Sequence, residues 1–194
     1  MEDNRHRERS SDVRALEVSD GIALLRQTLP AVLPRLRRFA RTLTRDVQDA
    51  DDLAQNAIER ALLRAAQWRA PPADASAEQI EASVRSWMFG IVKNAWIDNR
   101  RAWKRERAIV GGDEGLEELP DTAHSSVQDQ LSIAAALQKL PEEQRLAVSL
   151  VLVEGLSYQE AADIMEVPIG TLTSRLARAR EALATLLGAG KQTS

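Results

Sequence analysis

The chain has 194 residues, of which 44% are hydrophobic and 28% are charged, and this length suits one domain or two small ones. It has no cysteine, which excludes disulfides, thiolate zinc sites and thiol redox sensing by this chain. Its two histidines offer no metal or catalytic constellation, so we expect no catalytic residue, no metal and no cofactor. No apolar run approaches the roughly 20 residues of a membrane-spanning helix, and the polar start is not a signal peptide. We therefore expect a cytoplasmic protein without membrane insertion.

The first 43 residues divide into a polar segment and an apolar one. Residues 1–19 are polar, and we expect a frayed tail. From Gly21 to Leu43 apolar residues recur at helical spacing, while Pro30 and Pro34 can break or restart a helix. This segment predicts a core helix pair or one kinked helix.

The next predicted helix runs from about Val47 to Gln67 and has one apolar face. The other side carries carboxylates, amides and one arginine: Asp49, Asp52, Gln55, Asn56, Glu59 and Arg60. Leu63 falls among them. Such a strip could dock a basic protein partner, but the segment taken alone favours a solvated helix face.

A loop follows from Ala70 to Gln79, and residues 83–107 then predict one long helix with an unusual surface. A mostly basic stripe runs along it at helical spacing: Lys93, Ile97, Arg100, Lys104 and Arg107. Phe89, Trp96 and Trp103 lie beside the stripe. Basic residues interleaved with aromatic rings suit single-stranded or melted nucleic acid, because charge follows phosphates and rings stack on bases. The alternative is that the tryptophans belong to the core, as the position of Trp87 beside Ile91 and Ala95 favours.

Charge is segregated along the chain although the net charge is only −3. Residues 84–110 contain seven bases and two acids, whereas residues 111–143 contain eight acids and one base. The stretch from Gly111 to Ser126 is acidic and rich in glycine, which predicts a linker between two domains. A basic segment followed by an acidic one indicates two surfaces that bind different partners.

The C-terminal segment predicts four helices. Two lie within residues 127–140 and 141–153, the second with acids in its first turn, and Gly155 ends it. Ser157 and Glu160 form a capping box that starts a third helix, and Val167, Pro168 and Gly170 break it. A fourth helix starts at about Pro168 and buries a stripe made of Leu172, Leu176, Ala179, Leu183 and Leu187.

The opposite arc of the fourth helix is polar and carries Thr171, Ser174 and Arg178, with Thr173 and Arg175 on its flanks. Short hydroxyls and arginines on the second helix of a hairpin suit the DNA major groove. An ordinary helical hairpin with a solvated charged face is the alternative.

No stretch alternates with period two, so the fold class is predicted as all-α. We expect two small helical domains joined by an acidic flexible linker, the C-terminal one with a helix-turn-helix. The predicted parts are a tail over 1–19, a helical domain over 20–108, a linker over 109–126, a helix-turn-helix domain over 127–188 and a tail over 189–194.

Three motifs in this order resemble bacterial sigma factors of the extracytoplasmic-function group. They are DADDLAQNAIERAL, SWMFGIVKNAWIDNRR and LPEEQRLAVSLVLVEGLSYQEAADIMEVPIGTLTSRLARAREAL. The resemblance covers about Leu33 to Leu187. It implies a factor that binds core RNA polymerase, recognises promoter DNA, helps to melt it without covalent chemistry, and is held inactive by an anti-sigma factor.

The resemblance also implies residue roles. The strip of Asp49, Asp52, Gln55, Asn56, Glu59 and Arg60 would dock on the clamp helices of the largest polymerase subunit. The minus-ten element would be engaged by Lys93, Asn94, Asp98, Asn99, Arg100 and Arg101, and the loop before this helix would capture a flipped base. The minus-thirty-five element would be read by Thr171, Thr173, Ser174, Arg175 and Arg178.

Three positions depart from the pattern of the group. The loop from Ala70 to Glu81 is longer and richer in proline, so its base-capturing residues are not assigned. Asn56 stands where an acid is frequent, and Ala177 replaces a larger side chain. Two rivals are a sigma-like decoy, disfavoured because Arg175, Arg178 and Arg180 remain, and a repressor or activator, disfavoured by the basic tryptophan-rich helix. An enzyme would need a nucleophile, metal cluster or phosphate loop, and none is present in the sequence.

Overall fold

The computed structural model describes residues 2–110 and 128–189, and the predicted acidic linker lies almost wholly outside the described residues. The helices are α1 (Glu2–Leu43), α2 (Val47–Leu63), α3 (Ala77–Val110), α4 (Gln128–Lys139), α5 (Glu142–Val148), α6 (Tyr158–Met165) and α7 (Ile169–Ala189). A 3₁₀ turn over Ala65–Gln67 follows α2, and a π turn over Ser149–Val153 follows α5. Within the described ranges no strand occurs, which confirms the all-α prediction.

Helix α1 decides one expectation about the N-terminal segment and corrects another. It is a single helix that continues through both prolines, so of the two alternatives the helix pair is wrong. Pro30 and Pro34 both lie on its exposed side, where water can satisfy the carbonyls that lose their intrahelical donors. The helix also extends back through residues 2–19, predicted as a frayed tail. This segment is rich in arginine and glutamate, which are good helix formers, so a helix that starts in the apolar part can continue into it.

The N-terminal domain packs α1, α2 and α3 around one core. Phe39 of α1 and Phe89 of α3 are both fully buried, and their ring centroids lie 4.8 Å apart in a tilted arrangement. Helix α2 presents mostly alanines to this core, which lets its backbone approach the other two helices closely. Its start is fixed by Asp46, whose carboxylate accepts a hydrogen bond of 2.8 Å from the backbone N–H of Asp49.

Helix α3 is longer at both ends than the predicted 83–107. It begins at Ala77 because Ser76 and Gln79 cap it reciprocally. The Ser76 backbone N–H donates to Gln79 Oε1 at 2.8 Å, and the Gln79 backbone N–H donates to Ser76 Oγ at 3.3 Å. The loop that precedes α3 is therefore shorter than the predicted loop to Gln79, and its end is fixed by this cap.

The C-terminal domain consists of α4 to α7, as predicted. Residues 141–153 were expected to form one α-helix, but the last five form a π turn. The turn is closed by a 3.0 Å bond from the Glu154 N–H to the Ser149 carbonyl. Gly155 ends the segment with a φ of 70°, in the left-handed region that glycine adopts without strain.

The two domains pack against each other through α1 and α3 on one side and α4, α5, the π turn and α6 on the other. Their buried residues form one continuous apolar cluster that includes Phe39, Trp96, Leu140 and Leu146. None of the described helices is both long and apolar enough to cross a membrane.

Candidate nucleic-acid and polymerase interfaces

The helix-turn-helix is built by a capping box and a left-handed residue. Ser157 donates from its hydroxyl to Glu160 Oε2 at 2.7 Å, and its backbone N–H donates to the same oxygen at 2.8 Å. These hydrogen bonds hold the pKa of Glu160 below its ordinary value. Glu166 ends α6 with a φ of 57°, and the backbone N–H of Val167 donates back to the Ala162 carbonyl at 3.1 Å. The predicted start and end of this hairpin are confirmed.

Helix α7 presents the arc that the sequence predicts. Leu172, Leu176 and Ala179 are buried, whereas Thr173, Ser174 and Arg178 are exposed and Thr171 and Arg175 are half-buried. The hydroxyl of Thr173 donates to the Ile169 carbonyl at 2.8 Å, and that of Ser174 donates to the Thr171 carbonyl at 2.9 Å. The oxygens of both hydroxyls therefore remain free to accept while their hydrogens satisfy the helix.

Arg175 differs from its neighbours on α7 because it is already paired. Its Nη2 lies 2.6 Å from Glu143 Oε2, in the first turn of α5, and only 18% of its side chain is exposed. Arg178 is exposed and has no ion pair within the described part of the chain. Of the two arginines, Arg178 is thus the one poised to meet a base edge or phosphate without first breaking a contact.

The six predicted minus-ten residues lie on two sides of α3. Asn94, Asp98 and Arg101 share an exposed side at helical spacing. Lys93 and Arg100 share another side with Trp96, and this side lies under the C-terminal domain. Asn99 is exposed and lines a groove between α2 and α3. The structure therefore does not gather the six residues into one open face.

The burial of the aromatic residues near the basic stripe decides between the two interpretations that the sequence left open, a stacking surface and a place in the core. Trp96 is 5% exposed and Phe89 is fully buried, so neither is available for stacking on bases in this arrangement. Phe89, Val92 and Trp96 recur at spacings of three and four and so share the buried side of α3. Trp103 is 53% exposed and keeps the predicted surface position. Trp87, predicted as core, is only partly buried.

Helix α2 presents the predicted acidic and amide strip. Asp49, Asp52, Gln55 and Glu59 are exposed, and Asn56 and Arg60 are half-buried. The amide Nε2 of Gln55 donates to Glu59 Oε1 at 3.2 Å. Partial burial and the carboxylates of Asp46 and Asp52 raise the pKa of Asp49.

Leu63 extends this strip with a large exposed apolar side chain. It is 87% exposed, and it lies in line with Asp52, Asn56 and Glu59 at helical spacing. An isolated exposed leucine is ordinary on a protein surface, but here it adjoins a row of polar groups. Arg60, at the end of the strip, donates from Nη1 to Asp98 Oδ2 at 2.8 Å and so ties α2 to α3.

A groove of about 610 Å³ brings residues of two predicted sets together. It lies where α2, α3 and α5 meet. Its lining includes Asp49, Asp52 and Asn56 of the acidic strip, together with Asn99 and Arg100 of α3. Trp96, Trp103 and Arg145 also line the groove. The predicted polymerase-docking and minus-ten residues are therefore adjacent surfaces of one region.

Arg145 joins the two domains and was missed by the sequence analysis. It is 5% exposed, its Nη1 donates to the Leu43 carbonyl at 3.1 Å, and its Nη2 donates to the Leu140 carbonyl at 3.3 Å. Its Nη1 also donates to Gln138 Oε1. Burial, followed by the charge of Arg100, lowers the pKa of Arg145 to about 10. The sequence did hold a sign of its role, because Arg145 stands at the start of an apolar run that continues to Val153. An arginine in such a run is buried and therefore needs hydrogen-bond partners.

Gln138 and Glu154 make further contacts across the domain boundary. Gln138 Nε2 donates to the carbonyls of Thr42 and Thr44 at 3.2 and 2.5 Å. Both carboxylate oxygens of Glu154 accept from Arg38, each at 2.8 Å, and the Glu154 side chain is fully buried. This bidentate hydrogen bonding raises the pKa of Arg38.

Comparisons with known proteins agree with this architecture. Residues 29–93 match the family described as the Sigma2 domain of PhyR, and residues 130–183 match the family described as Sigma-70, region 4. Similar proteins include the ECF RNA polymerase sigma factor EcfG of Rhodopseudomonas palustris (strain TIE-1), 36% identical over 84% of each chain. The ECF RNA polymerase sigma factor SigM of Mycobacterium tuberculosis (strain Erdman) is 34% identical over 95% of this chain and 87% of its own.

A solved structure of the sigma factor RpoE in complex with the anti-sigma factor NepR, from Bartonella quintana, is also similar. Its TM-score is 0.68 at 30% identity, over 84% of this chain and 96% of that one. The fold and its helix-turn-helix thus define a two-domain helical transcription factor. The chain belongs to the family of extracytoplasmic-function (ECF) RNA polymerase sigma factors.

Proposed function

We propose that this chain binds core RNA polymerase and directs promoter recognition and DNA melting through three surfaces. The exposed strip on α2 docks on the polymerase, α3 engages the minus-ten element, and α7 reads the minus-thirty-five element. The observation that carries the proposal is the arc of α7, where Thr173, Ser174 and Arg178 are exposed on the second helix of a capped hairpin. The protein itself carries out no covalent chemistry and acts in the cytoplasm, where its polymerase and DNA are.

The docking surface combines negative charge with one apolar side chain. Four exposed polar residues and Leu63 are presented along α2, and intrahelical hydrogen bonds from Gln48 to Asp52 and from Gln55 to Glu59 hold the strip in place. Complementary charge would steer the encounter, and the leucine would be buried on binding. This composition supports a basic protein partner with an apolar recess.

Melting would use the region around the end of α3. Trp103 is the exposed tryptophan of this helix, and Asn99 and Arg101 are exposed nearby. An exposed ring can stack on an unpaired base, and the Arg101 guanidinium can hold a phosphate of the same strand. Capture of the melted strand would then drive opening without nucleotide hydrolysis.

Regulation by an anti-sigma factor is part of the proposal. The similar RpoE of Bartonella quintana was solved with its anti-sigma factor NepR, and the match covers both domains of this chain. A protein partner that covers the α2 strip would prevent docking on the polymerase, and one that covers the exposed arc of α7 would prevent DNA binding. A purified protein of that kind should inhibit transcription directed by this chain.

Run-off transcription tests the proposed function. Core polymerase of the source bacterium is mixed with the purified chain and fragmented genomic DNA, and the 5′ ends of the transcripts are sequenced. We expect starts that share two upstream boxes and that are absent when the core enzyme acts alone. If the chain gives no specific initiation on any fragment, the proposal is wrong.

A further inference from the structure

The two exposed hydroxyls on the arc of α7 are already committed as donors. Thr173 gives its hydroxyl hydrogen to the Ile169 carbonyl at 2.8 Å, and Ser174 gives its own to the Thr171 carbonyl at 2.9 Å. A hydroxyl has one hydrogen and two lone pairs, so both oxygens can still accept. Towards solvent, the side chains of Thr173 and Ser174 therefore present hydrogen-bond acceptors and no donor.

Arg178 supplies the opposite hydrogen-bonding character on the same arc. It is exposed one turn beyond Ser174, and a guanidinium has five N–H donors and no acceptor. In the major groove an arginine suits the O6 and N7 acceptors of guanine, whereas an acceptor suits the amino group of adenine or of cytosine. The arc thus divides into a donor that fits guanine and two acceptors that fit amino groups.

Thr173 differs from Ser174 by a methyl group. Its hydroxyl and its methyl share one carbon, so the hydrogen bond to the Ile169 carbonyl fixes the χ1 rotamer and with it the position of the methyl. Ala177 is exposed one turn later on the same side of the helix, and its short side chain leaves Thr173 accessible. Thr173 therefore offers an acceptor and an apolar group from a single, fixed side chain.

This combination matches one kind of base pair. In the major groove an A·T pair presents the N6 amino donor of adenine together with the 5-methyl group of thymine. A G·C pair also presents an amino donor, on N4 of cytosine, but it has no methyl group. An acceptor joined to a methyl group thus favours A·T, whereas the hydroxyl of Ser174 alone does not separate adenine from cytosine.

We propose that Thr173 selects one A·T base pair of the minus-thirty-five element. Its Oγ1 accepts from adenine N6, and its methyl group contacts the 5-methyl group of thymine. The proposal rests on the proposed role of α7 as the reading helix and adds the base pair that the helix selects. The hydroxyl hydrogen stays on the Ile169 carbonyl during binding, so recognition costs the helix no hydrogen bond. A donor role towards guanine or thymine O4 would first have to break that bond.

A promoter library randomised in the minus-thirty-five element locates the base pair. The library is transcribed by core polymerase with either the wild-type chain or Thr173→Val, which has no hydroxyl but a similar size and a similar helix propensity. We expect the wild type to prefer A·T at one position where the preference of Thr173→Val is weaker. If the position that responds prefers G·C, or if no position responds, the proposal is wrong.

Two base analogues then divide the contacts at that position. 2-Aminopurine replaces adenine, pairs with thymine and carries its amino group in the minor groove, and uracil replaces thymine but has no 5-methyl group. Affinity of the polymerase holoenzyme is measured by competition against a labelled promoter duplex. We expect 2-aminopurine to weaken wild-type binding about fivefold through the lost hydrogen bond. Uracil should weaken it about threefold through the lost methyl contact.

Two substitutions at Thr173 should respond to the analogues in opposite ways. Thr173→Val should no longer distinguish 2-aminopurine from adenine but should still distinguish uracil from thymine. Thr173→Ser keeps the hydroxyl without the methyl, so it should do the reverse. If Thr173→Val remains as sensitive to 2-aminopurine as the wild type, the hydroxyl does not accept from adenine and the proposal fails. Full uracil sensitivity in Thr173→Ser would contradict the methyl contact and overturn the proposal as well.

Thr185 provides the matched control on the same helix. It is exposed, and its hydroxyl donates to the Glu181 carbonyl at 3.1 Å, which is the same kind of bond to the preceding turn. At 1.5 Å per residue it lies about 18 Å further along α7 than Thr173. Thr185→Val and Thr185→Ser should respond to both analogues as the wild type does. If they lose the same responses as the Thr173 variants, helix stability and not base reading is the cause, and the proposal fails.

Failure of this proposal can be told apart from failure of the proposed function. Specific initiation by the wild-type holoenzyme without any effect of the two analogues would overturn the role of Thr173 and leave the promoter-reading function intact. Absence of specific initiation on every genomic fragment would overturn both.

Discussion

The guanidinium of Arg145, on α5, lies over the ring of Trp96, on α3, with 6.0 Å between its central carbon and the ring centroid. The contact joins the two domains through a buried cation and a buried aromatic ring. Arg145 also donates to the Leu43 and Leu140 carbonyls, so one side chain satisfies backbone groups on both sides of the boundary.

Truncation of Arg145 should therefore destabilise the protein. We expect Arg145→Ala to cost about 2–4 kcal/mol of the free energy of unfolding, because it leaves buried carbonyls without a donor and opens a cavity. Arg145→Lys should cost less, since it keeps the charge and one hydrogen bond but loses the planar fork. Urea unfolding followed by circular dichroism measures both. Arg101→Ala removes an exposed arginine and should change the midpoint little.

The capping box of α6 should make stability depend on acid pH. The folded-state pKa of Glu160 lies below its ordinary value of 4.5, so its contribution is fully present above that value and is lost as pH falls below it. Glu160→Gln keeps an acceptor for the Ser157 N–H but cannot titrate. We expect Glu160→Gln to cost about 0.5–1 kcal/mol of the free energy of unfolding at neutral pH. Between about pH 5 and pH 3 the variant should lose less stability than the wild type does. If Glu181→Gln flattens the same acid profile, the cap is not the cause.

The two tryptophans near the end of α3 should separate folding from DNA opening. Trp96→Ala should cost about 3–5 kcal/mol of stability because the ring is buried. Trp103→Ala should cost much less, because about half of its surface is exposed, but it should reduce promoter opening roughly tenfold through the lost stacking. Permanganate reactivity of unpaired thymines measures opening. If Trp103→Ala opens the promoter normally, Trp103 does not take part in melting.

Local signals in the sequence predicted much of the fold. The capping box of Ser157 and Glu160 and the breaks at Pro168 and Gly155 appear as predicted. Of the predicted buried stripe of α7, Leu172, Leu176 and Ala179 are buried, whereas Leu183 and Leu187 are only partly buried. These features depend on residues within one or two turns of each other. The all-α class and the four C-terminal helices follow from the same local periodicity.

Features that depend on packing between the domains were not predicted. Lys93 and Arg100 fit a basic surface stripe when α3 is considered alone, but the C-terminal domain covers their side of the helix. Trp96 is buried for the same reason, and Arg145 donates to the Leu43 carbonyl, which lies more than a hundred residues away in the chain. For α1 the sequence left open a helix pair or one kinked helix, because the cost of Pro30 and Pro34 depends on which side of the helix meets water.

The α2 strip offers a matched pair of neighbouring acids. Asp52→Ala removes an exposed carboxylate that lies in line with Asn56, Glu59 and Leu63, and we expect about tenfold weaker binding to core polymerase. Asp51→Ala removes the same charge from the adjacent, exposed position outside the strip, and it should bind nearly as well as wild type. Competition against a fluorescently labelled wild-type chain measures both. If the two variants weaken binding equally, net charge rather than the strip controls docking.

The exposed arginines of α7 allow sequence reading to be separated from charge. Arg178→Ala removes an arginine from the predicted reading arc, whereas Arg180→Ala removes one outside that set, whose Nη2 donates to the Tyr158 hydroxyl at 3.3 Å. Both lose one positive charge, so both should weaken nonspecific binding similarly and reduce its salt dependence. Only Arg178→Ala should also relax the preference at one base pair of the upstream box, by about 1–3 kcal/mol. Transcription from a promoter library randomised in that box measures the preference. If Arg178→Ala keeps the wild-type base preference, Arg178 contacts the DNA phosphates and does not read a base.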